Sequence, residues 1–452
     1  MLLNPSYTVK FEIDKQTITD LELFERVKGE KSVFSFFNHT KSIGGTEKLK
    51  RMFSSPLVDI ELLKKRIEII KYFEAKPDFI DIHKEWLGFI EYYLVQGNRP
   101  ARLSLIDIIR TAFDNRIKPT NHNYIIHRAI TCMVKILNDL YEYASGIETD
   151  NCPEQLSEYK QTILELITNS ELKDILLLKN KKRIRPIRKG KLDFYFRNSE
   201  SEKIRILLDI IYEIDVYKSV SGVVGKYGFC YPTYTSAKVG INIKGLFHPF
   251  LEAPVTNDLN LADTKNLCFL TGPNMAGKST YLKSFGISVY LAHLGFPVPA
   301  NSMETSVFNG LLTTINLPDN INKGYSHYYS EVLRVKYVAE QINRLKNIVV
   351  IFDELFRGTN VIDAYEASLA VISAFAKIKM SLFAISTHII EVADKLRPGD
   401  TIYFKFFEIK INDGIPQYTY KLKDGVTDER IGMYILTKEK VIETITKTIS
   451  EN

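Results

Sequence analysis

Residues 269–280 read FLTGPNMAGKST, and residues 347–359 read NIVVIFDELFRGT. Within the first stretch, GPNMAGKS fits the spacing G-x-x-x-x-G-K-[ST] at Gly272, Gly277, Lys278 and Ser279. An apolar run, LCFL at 267–270, precedes it, and the helical stretch KSTYLKSFGISVYLAHLG follows. A strand, a glycine-bearing loop and a helix in that order aim backbone N–H groups and a helix N-terminus at one anion, the arrangement that cradles phosphate. Glycine lets the backbone approach the anion with no Cβ in the way. Lys278 can bridge the β- and γ-phosphates, Ser279 can ligate Mg²⁺, and the Thr280 hydroxyl can add a phosphate contact. A chance match in a turn would lack this strand–loop–helix context.

The second stretch is an apolar run ending in Asp353 and Glu354. Acids at the C-terminal end of a parallel strand lie where open α/β sheets bind ligands. Asp353 is positioned to hold Mg²⁺, directly or through water, and Glu354 to polarise an attacking water as general base. The plainer alternative is that Glu354 only caps or pairs with Arg357. A third apolar run, SLFAIS at 381–386, leads to His388, which reads as a γ-phosphate sensor or as a structural hydrogen-bonder.

Outward from these motifs the chain has two textures. From about 223 onward short apolar strands alternate with helices, which predicts an α/β domain with a mostly parallel sheet covered on both faces. Before about 222 the apolar spacing is helical and glycine is sparse. In SPLVDIELLKKRIEIIKYF (55–73), Ile60, Leu63, Ile67, Ile70 and Phe73 fall on one stripe, an amphipathic helix. Two domains are expected, 1–222 all-α and 223–452 α/β. The 452 residues, 45% hydrophobic and 25% charged, are ordinary for a globular chain. Four scattered cysteines, Cys132, Cys152, Cys230 and Cys268, form no C-x-x-C pair, which fits a reducing cytoplasm and offers no zinc site. No long apolar run suggests a membrane span. The net charge of +6 is compatible with nucleic acid.

Taken together, TGPNMAGKST, DELFRGTNVIDA and ISTH resemble the ATPase domain of the MutS family of DNA mismatch-repair proteins. FHPFLEAPVTNDLNL (247–261) is similar to the segment leading into that family's loop, and YTYKLKDGVTDERIGMYIL to its C-terminal hairpin and helix. FEIDKQTITDLEL (11–23), SVFSFFNHTKSIGGTEKLKRMFSSPLVDIELLKKRIEII and LLDIIYEIDVYKSVSGVVGKYGFCYP resemble its helical core and the return into the ATPase, so the likeness covers most of the chain. It implies an ABC-type P-loop ATPase domain, preceded by an all-α core and lever domain, that works as a homodimer on DNA with ATP and Mg²⁺. Gly272, Asn274, Gly277, Lys278, Ser279 and Thr280 would then form the nucleotide loop. Asp353 and Glu354 would be metal-water ligand and catalytic base, and His388 the switch histidine. GYSHYYSEV (324–332) falls where the family has its signature segment, so Ser326 would touch the γ-phosphate bound by the other subunit, and Asp363 would lie in the loop coupling the two sites. Ser326 reads equally as a helix N-cap.

The chain also departs from the pattern. Val255 stands where the family commonly places an aromatic against adenine, and Phe356 and Ala364 replace glycines common there. The expectation is a short form with no room for the mismatch-recognition domain and its F-x-E wedge; the F-x-E runs at Phe89–Glu91 and Phe406–Glu408 read as coincidences.

A basic break at 178–198, LKNKKRIRPIRKGKLDFYFRN, interrupts the helical half. Lys181, Lys182, Arg183, Arg185 and Arg188 are candidate nonspecific DNA contacts, since lysine and arginine at this density neutralise several phosphates. The alternative is a solvated hairpin packing its aromatics on the ATPase domain. Competing functions are an SMC- or Rad50-like DNA-organising ATPase, for which the spacing from Lys278 to Asp353 leaves no room for a long coiled coil, a small-molecule phosphotransferase, and a nucleotide-gated scaffold with little turnover.

Overall fold

A computed structural model describes residues 10–76 (28 apart), 82–95, 121–179 (149 and 151 apart), 181, 183–236, 239–317, 327–397, 401–412, 415–427 and 438–450 (439 apart). Contacts divide these into two units. One holds the described residues through Val33, then Pro56–Ile60 and those from Tyr227; the other holds Phe34–Ser55 and Glu61–Lys226. The expected single cut near 222 is thus displaced at the N-terminus. The short strand β1 (Glu12–Ile13) and helix α1 (Lys15–Asp20) belong with the α/β unit. The physical reason lies in Asp20. It is fully buried, and its carboxylate accepts from Thr313 Oγ1 and Ile315 N at 2.8 Å each and from Asn316 N at 3.1 Å, across nearly three hundred residues of sequence. A buried carboxylate without such donors would be strongly destabilising.

The second unit is helical. It comprises α2 (Val33–Phe37), α3 (Ile43–Phe53), α4 (Ile60–Ala75), α5 (Lys84–Val95), α6 (Asn121–Gly146), α7 (Glu154–Thr168), a 3₁₀ segment Glu171–Leu178, α8 (Pro186–Phe194) and α9 (Ser201–Tyr227). The stripe foreseen in α4 is buried at Leu63, Ile67, Ile70 and Phe73, and Phe73 stacks on Tyr217 of α9 with ring centroids 6.1 Å apart. Asp215 of α9 accepts from the backbone N–H of Lys41 and Ser42, and Ser42 Oγ caps α3 by accepting from Gly45 N at 2.9 Å. The α9 helix has 27 residues, about 40 Å at 1.5 Å per residue.

The other unit is built on a seven-stranded sheet. After the strand β2 (Thr233–Tyr234) come β3 (Gly240–Leu246), β4 (Asn257–Ala262), β5 (Leu267–Thr271), helix α10 (Lys278–Leu294), β6 (Ser302–Thr305), β7 (Gly310–Thr314), α11 (His327–Leu345), β8 (Ile348–Asp353), α12 (Val361–Phe375), β9 (Leu382–Ser386), α13 (Ile390–Leu396), β10 (Ile402–Asn412), β11 (Ile415–Asp424) and α14 (Val441–Ser450). The large sheet runs β1-β7-β8-β9-β5-β10-β11, parallel throughout except for the β10–β11 hairpin. A smaller sheet runs β2-β6-β3-β4. Strands β5, β8 and β9 are buried at every residue, as unbroken apolar runs in a sheet covered on both faces must be. No described helix is long and apolar enough to cross a membrane.

Candidate functional site

Register brings the three motifs together. Leu270 of β5 lies opposite Ser386 of β9, and Ser386 lies opposite Asp353 of β8. The three strands therefore end in one row, and the loops leaving them share one edge of the sheet, where open parallel sheets present ligand sites.

From β5 the chain enters the loop 272–277 and then α10. Gly272 and Gly277 have φ of +140° and +106°, which only glycine adopts without strain, and Met275 turns at +67°. Lys278 opens α10 and is 4% exposed. Its Nζ donates to Gly272 O at 2.8 Å and to Pro273 O at 3.1 Å, so the loop wraps its own lysine. Burial pulls the ammonium's pKa below the usual lysine value, while Glu354 and Asp353 pull it the other way.

From β8 come the acids. Asp353 is buried and accepts a short hydrogen bond from Ser386 Oγ. Glu354 turns with φ +60° and donates its N–H to Ser386 O and Oγ, each at 3.1 Å. Its side chain is held at both oxygens: His388 Nε2 binds Oε1, and Arg357 Nη1 donates to Oε2 at 2.9 Å. Burial raises its pKa, but the hydrogen bond and charge of His388, with Arg357 and Lys278, outweigh it and hold the carboxyl below the ordinary glutamate range. Glu354 thus pairs with Arg357, as in the plainer reading, and with His388 as well.

A cavity of about 490 Å³ opens here, within the range of small-ligand sites. Its wall includes Asn274, Gly277, Lys278, Ser279, Thr280 and Glu354. Asp353 and His388 are not part of that wall; Asp353 shares Ser386 with the Glu354 backbone, and His388 binds the Glu354 carboxylate. Among the described residues the wall does not include Asp363. That side chain accepts from Asn360 Nδ2 at 2.6 Å while Asn360 Oδ1 accepts from Asp363 N at 2.9 Å, a reciprocal cap on α12. Ser326 and Lys182 lie outside the described residues.

Several contributors lie in quoted stretches that assign them no role. Ser386, within ISTH, bonds both the Asp353 carboxylate and the Glu354 backbone. Phe407 and Tyr420 come from the β10–β11 hairpin and line the cavity beside Val255 and His248. A Cβ on Gly277 would sit 3.5 Å from the Tyr420 ring, so hairpin and loop are in contact. Only the pairing of β10 with β5 brings these rings to the loop. Burial lowers the His248 pKa to about 4, so that ring is neutral near pH 7. Phe356, standing for a family glycine, adopts φ +61°. That backbone costs roughly 1–3 kcal/mol in a non-glycine residue, offset by burial of its ring beside Tyr328, 5.8 Å away.

The donor set fits a triphosphate with a magnesium ion. Among the described residues no group of three or more His, Cys, Asp or Glu forms a metal cage. Magnesium needs none, because it is held by one or two protein oxygens plus phosphates and water; Ser279 and Asp353 are the residues that would supply such oxygens.

The basic segment is organised differently. It is no hairpin. Arg185 precedes α8, and a π-helical turn, Tyr195–Ser199, joins α8 to α9. Leu192, Tyr195 and Phe196 are buried within the helical unit, and Tyr93 Oη donates to Asp193 at 2.6 Å. Lys181, Arg183 and Arg185 are exposed, whereas Lys179 pairs with Glu142 and Lys191 with Asp174.

Comparison with known proteins accounts for both units. A family model described as MutS domain III matches residues 16–355, and one described as MutS domain V, the ATPase domain, matches 268–452. A DNA mismatch repair protein MutS from Petrotoga mobilis is 26% identical over 414 residues, 83% of this chain and 50% of that protein. Proteins of the same name from Lactococcus lactis subsp. cremoris and Ehrlichia ruminantium are each 30% identical over 242 residues, covering 52% of this chain and 28–29% of theirs. The chain spans about half or less of the length of these curated relatives. With a domain match extending over most of its residues, the chain belongs to the MutS family.

Proposed function

We propose that this chain binds and hydrolyses ATP as a P-loop ATPase of the ABC type, in a homodimer whose closure gates engagement of DNA, in mismatch repair or a related repair or recombination process. The observation that supports this most directly is the convergence of Lys278, Asp353, Glu354 and His388 at one end of three adjacent parallel strands. In this reading the helix N-terminus and Lys278 hold the phosphates, and Ser279 and Asp353 hold Mg²⁺, which neutralises charge on the phosphate oxygens. Glu354 orients a water and accepts its proton as the oxygen attacks the γ-phosphorus and the bond to ADP breaks. Its depressed pKa keeps it ionised near neutral pH, so alignment of the water is its larger contribution. Phe407 and Tyr420 offer ring faces to the adenine where Val255 does not, and stacking of this kind contributes about 1–3 kcal/mol. Ser326 would complete the partner's site in trans, with Asp363 in the coupling loop. The exposed Lys181, Arg183 and Arg185, with Lys182 and Arg188, would meet duplex phosphates.

The test is ATP turnover and sedimentation with and without duplex, mismatched and branched DNA, for the native chain and Glu354→Gln. Slow, DNA-stimulated release of phosphate is expected. The variant should bind ATP normally, turn over about 100-fold more slowly or worse, and sediment as an ATP-held dimer. Unaltered turnover in the variant overturns the role of Glu354. A stoichiometric phosphorylated product would point to a phosphotransferase, and ATP-dependent dimerisation with negligible turnover in the native chain to a nucleotide-gated scaffold.

A further inference from the structure

We propose that Glu331 is a positioning residue for hydrolysis, setting the turn that carries Glu354; this rests on Glu354 being the group that faces the attacking water. Glu331 lies on α11 and is 5% exposed. Its carboxylate spans two successive amides of the turn after β8: Oε1 accepts from Arg357 N at 3.2 Å and Oε2 from Gly358 N at 3.3 Å. His327 Nδ1, one helical turn earlier, stands 3.6 Å from Oε1.

The turn needs an external hold. Glu354 and Phe356 both occupy the left-handed region, at φ +60° and +61°, with a single residue between them. Each is disfavoured for a side chain bearing a Cβ, and such backbone persists only where its surroundings over-determine it. For Glu354 the surroundings are Ser386, which takes its N–H; for Phe356 and the two residues after it they are α11. Phe356 is buried beside Tyr328, and Gly358 is pressed so close that a Cβ there would stand 2.6 Å from Tyr328 N. Glu331 adds the directional part. With the Arg357 backbone held, its guanidinium reaches Glu354 Oε2 while His388 takes Oε1, and the carboxylate has one orientation. Removing the Glu331 carboxylate strands two amides and frees the turn to relax. The phosphate loop hangs from β5 and α10 and shares none of these bonds, so nucleotide affinity is separable from hydrolysis.

The experiment uses the full chain and measures ATP affinity and single-turnover hydrolysis for Glu331→Ala, Glu331→Gln and Gly358→Ala, beside Glu354→Gln. Glu331→Ala is expected to slow hydrolysis by about 10–100-fold, the scale of a small misplacement of a reacting group, with ATP Kd within about threefold of native. Glu331→Gln keeps one acceptor oxygen and falls between. Gly358→Ala disturbs the same contact from the other side and reproduces the alanine effect. Native hydrolysis in Glu331→Ala alongside an inactive Glu354→Gln overturns this proposal alone. Equal loss of affinity and rate in both Glu331→Gln and Gly358→Ala also overturns it, as a general packing role. Native hydrolysis in Glu354→Gln overturns the parent reading and this proposal together.

Discussion

The cavity at the strand ends and the basic segment both gather charged side chains, but they do so in opposite ways. At the cavity, charges that follow or end three strands, from Lys278 to His388, converge, and each is fixed by neighbours: Lys278 by two carbonyls, Asp353 by Ser386, Glu354 by His388 and Arg357. In the basic segment the charges are close in sequence, and Lys181, Arg183 and Arg185, on the approach to α8, are exposed, while the apolar residues beside them anchor the stretch. Convergence with burial makes a site in which one atom's removal is felt at a single chemical step. Exposed adjacency makes a surface on which the effect of each charge is small, additive and dependent on salt.

Three measurements exploit that contrast. Lys278→Ala should weaken ATP binding by about 100-fold or more, since in the proposed reading it removes a buried, charge-assisted phosphate contact; titration with a fluorescent ATP analogue reads it. Tyr420→Ala should cost about tenfold in ATP affinity through lost stacking, with Tyr420→Phe close to native. Native affinity in the alanine variant would remove the hairpin from adenine recognition. Charge reversal at Lys181, Arg183 and Arg185 should weaken duplex binding severalfold and flatten its salt dependence while leaving ATP affinity unaltered. If a single reversal abolished binding, the segment would be a built site after all, and the contrast would fail.

The strand–loop–helix order around Lys278, the acids ending β8 and the histidine after β9 were all legible because their chemistry depends on short spacing along the chain. The parallel strands announced themselves as unbroken apolar runs, and α4 as a stripe, because burial on two faces or on one imposes those patterns locally. Other features depend on which distant segments pack together, and local pattern is silent on that. Asp20 looks like any acid in a helical stretch until β7 supplies its donors. Phe407 and Tyr420 are alternating strand residues until β10 pairs with β5. Phe356 and Glu331 become intelligible only as two sides of one contact, between a strained turn and the helix that holds it. Spacing encodes the groups proposed to meet a phosphate. The groups that orient them are chosen by packing, through hydrogen bonds and buried surfaces that exist only once the chain has closed on itself.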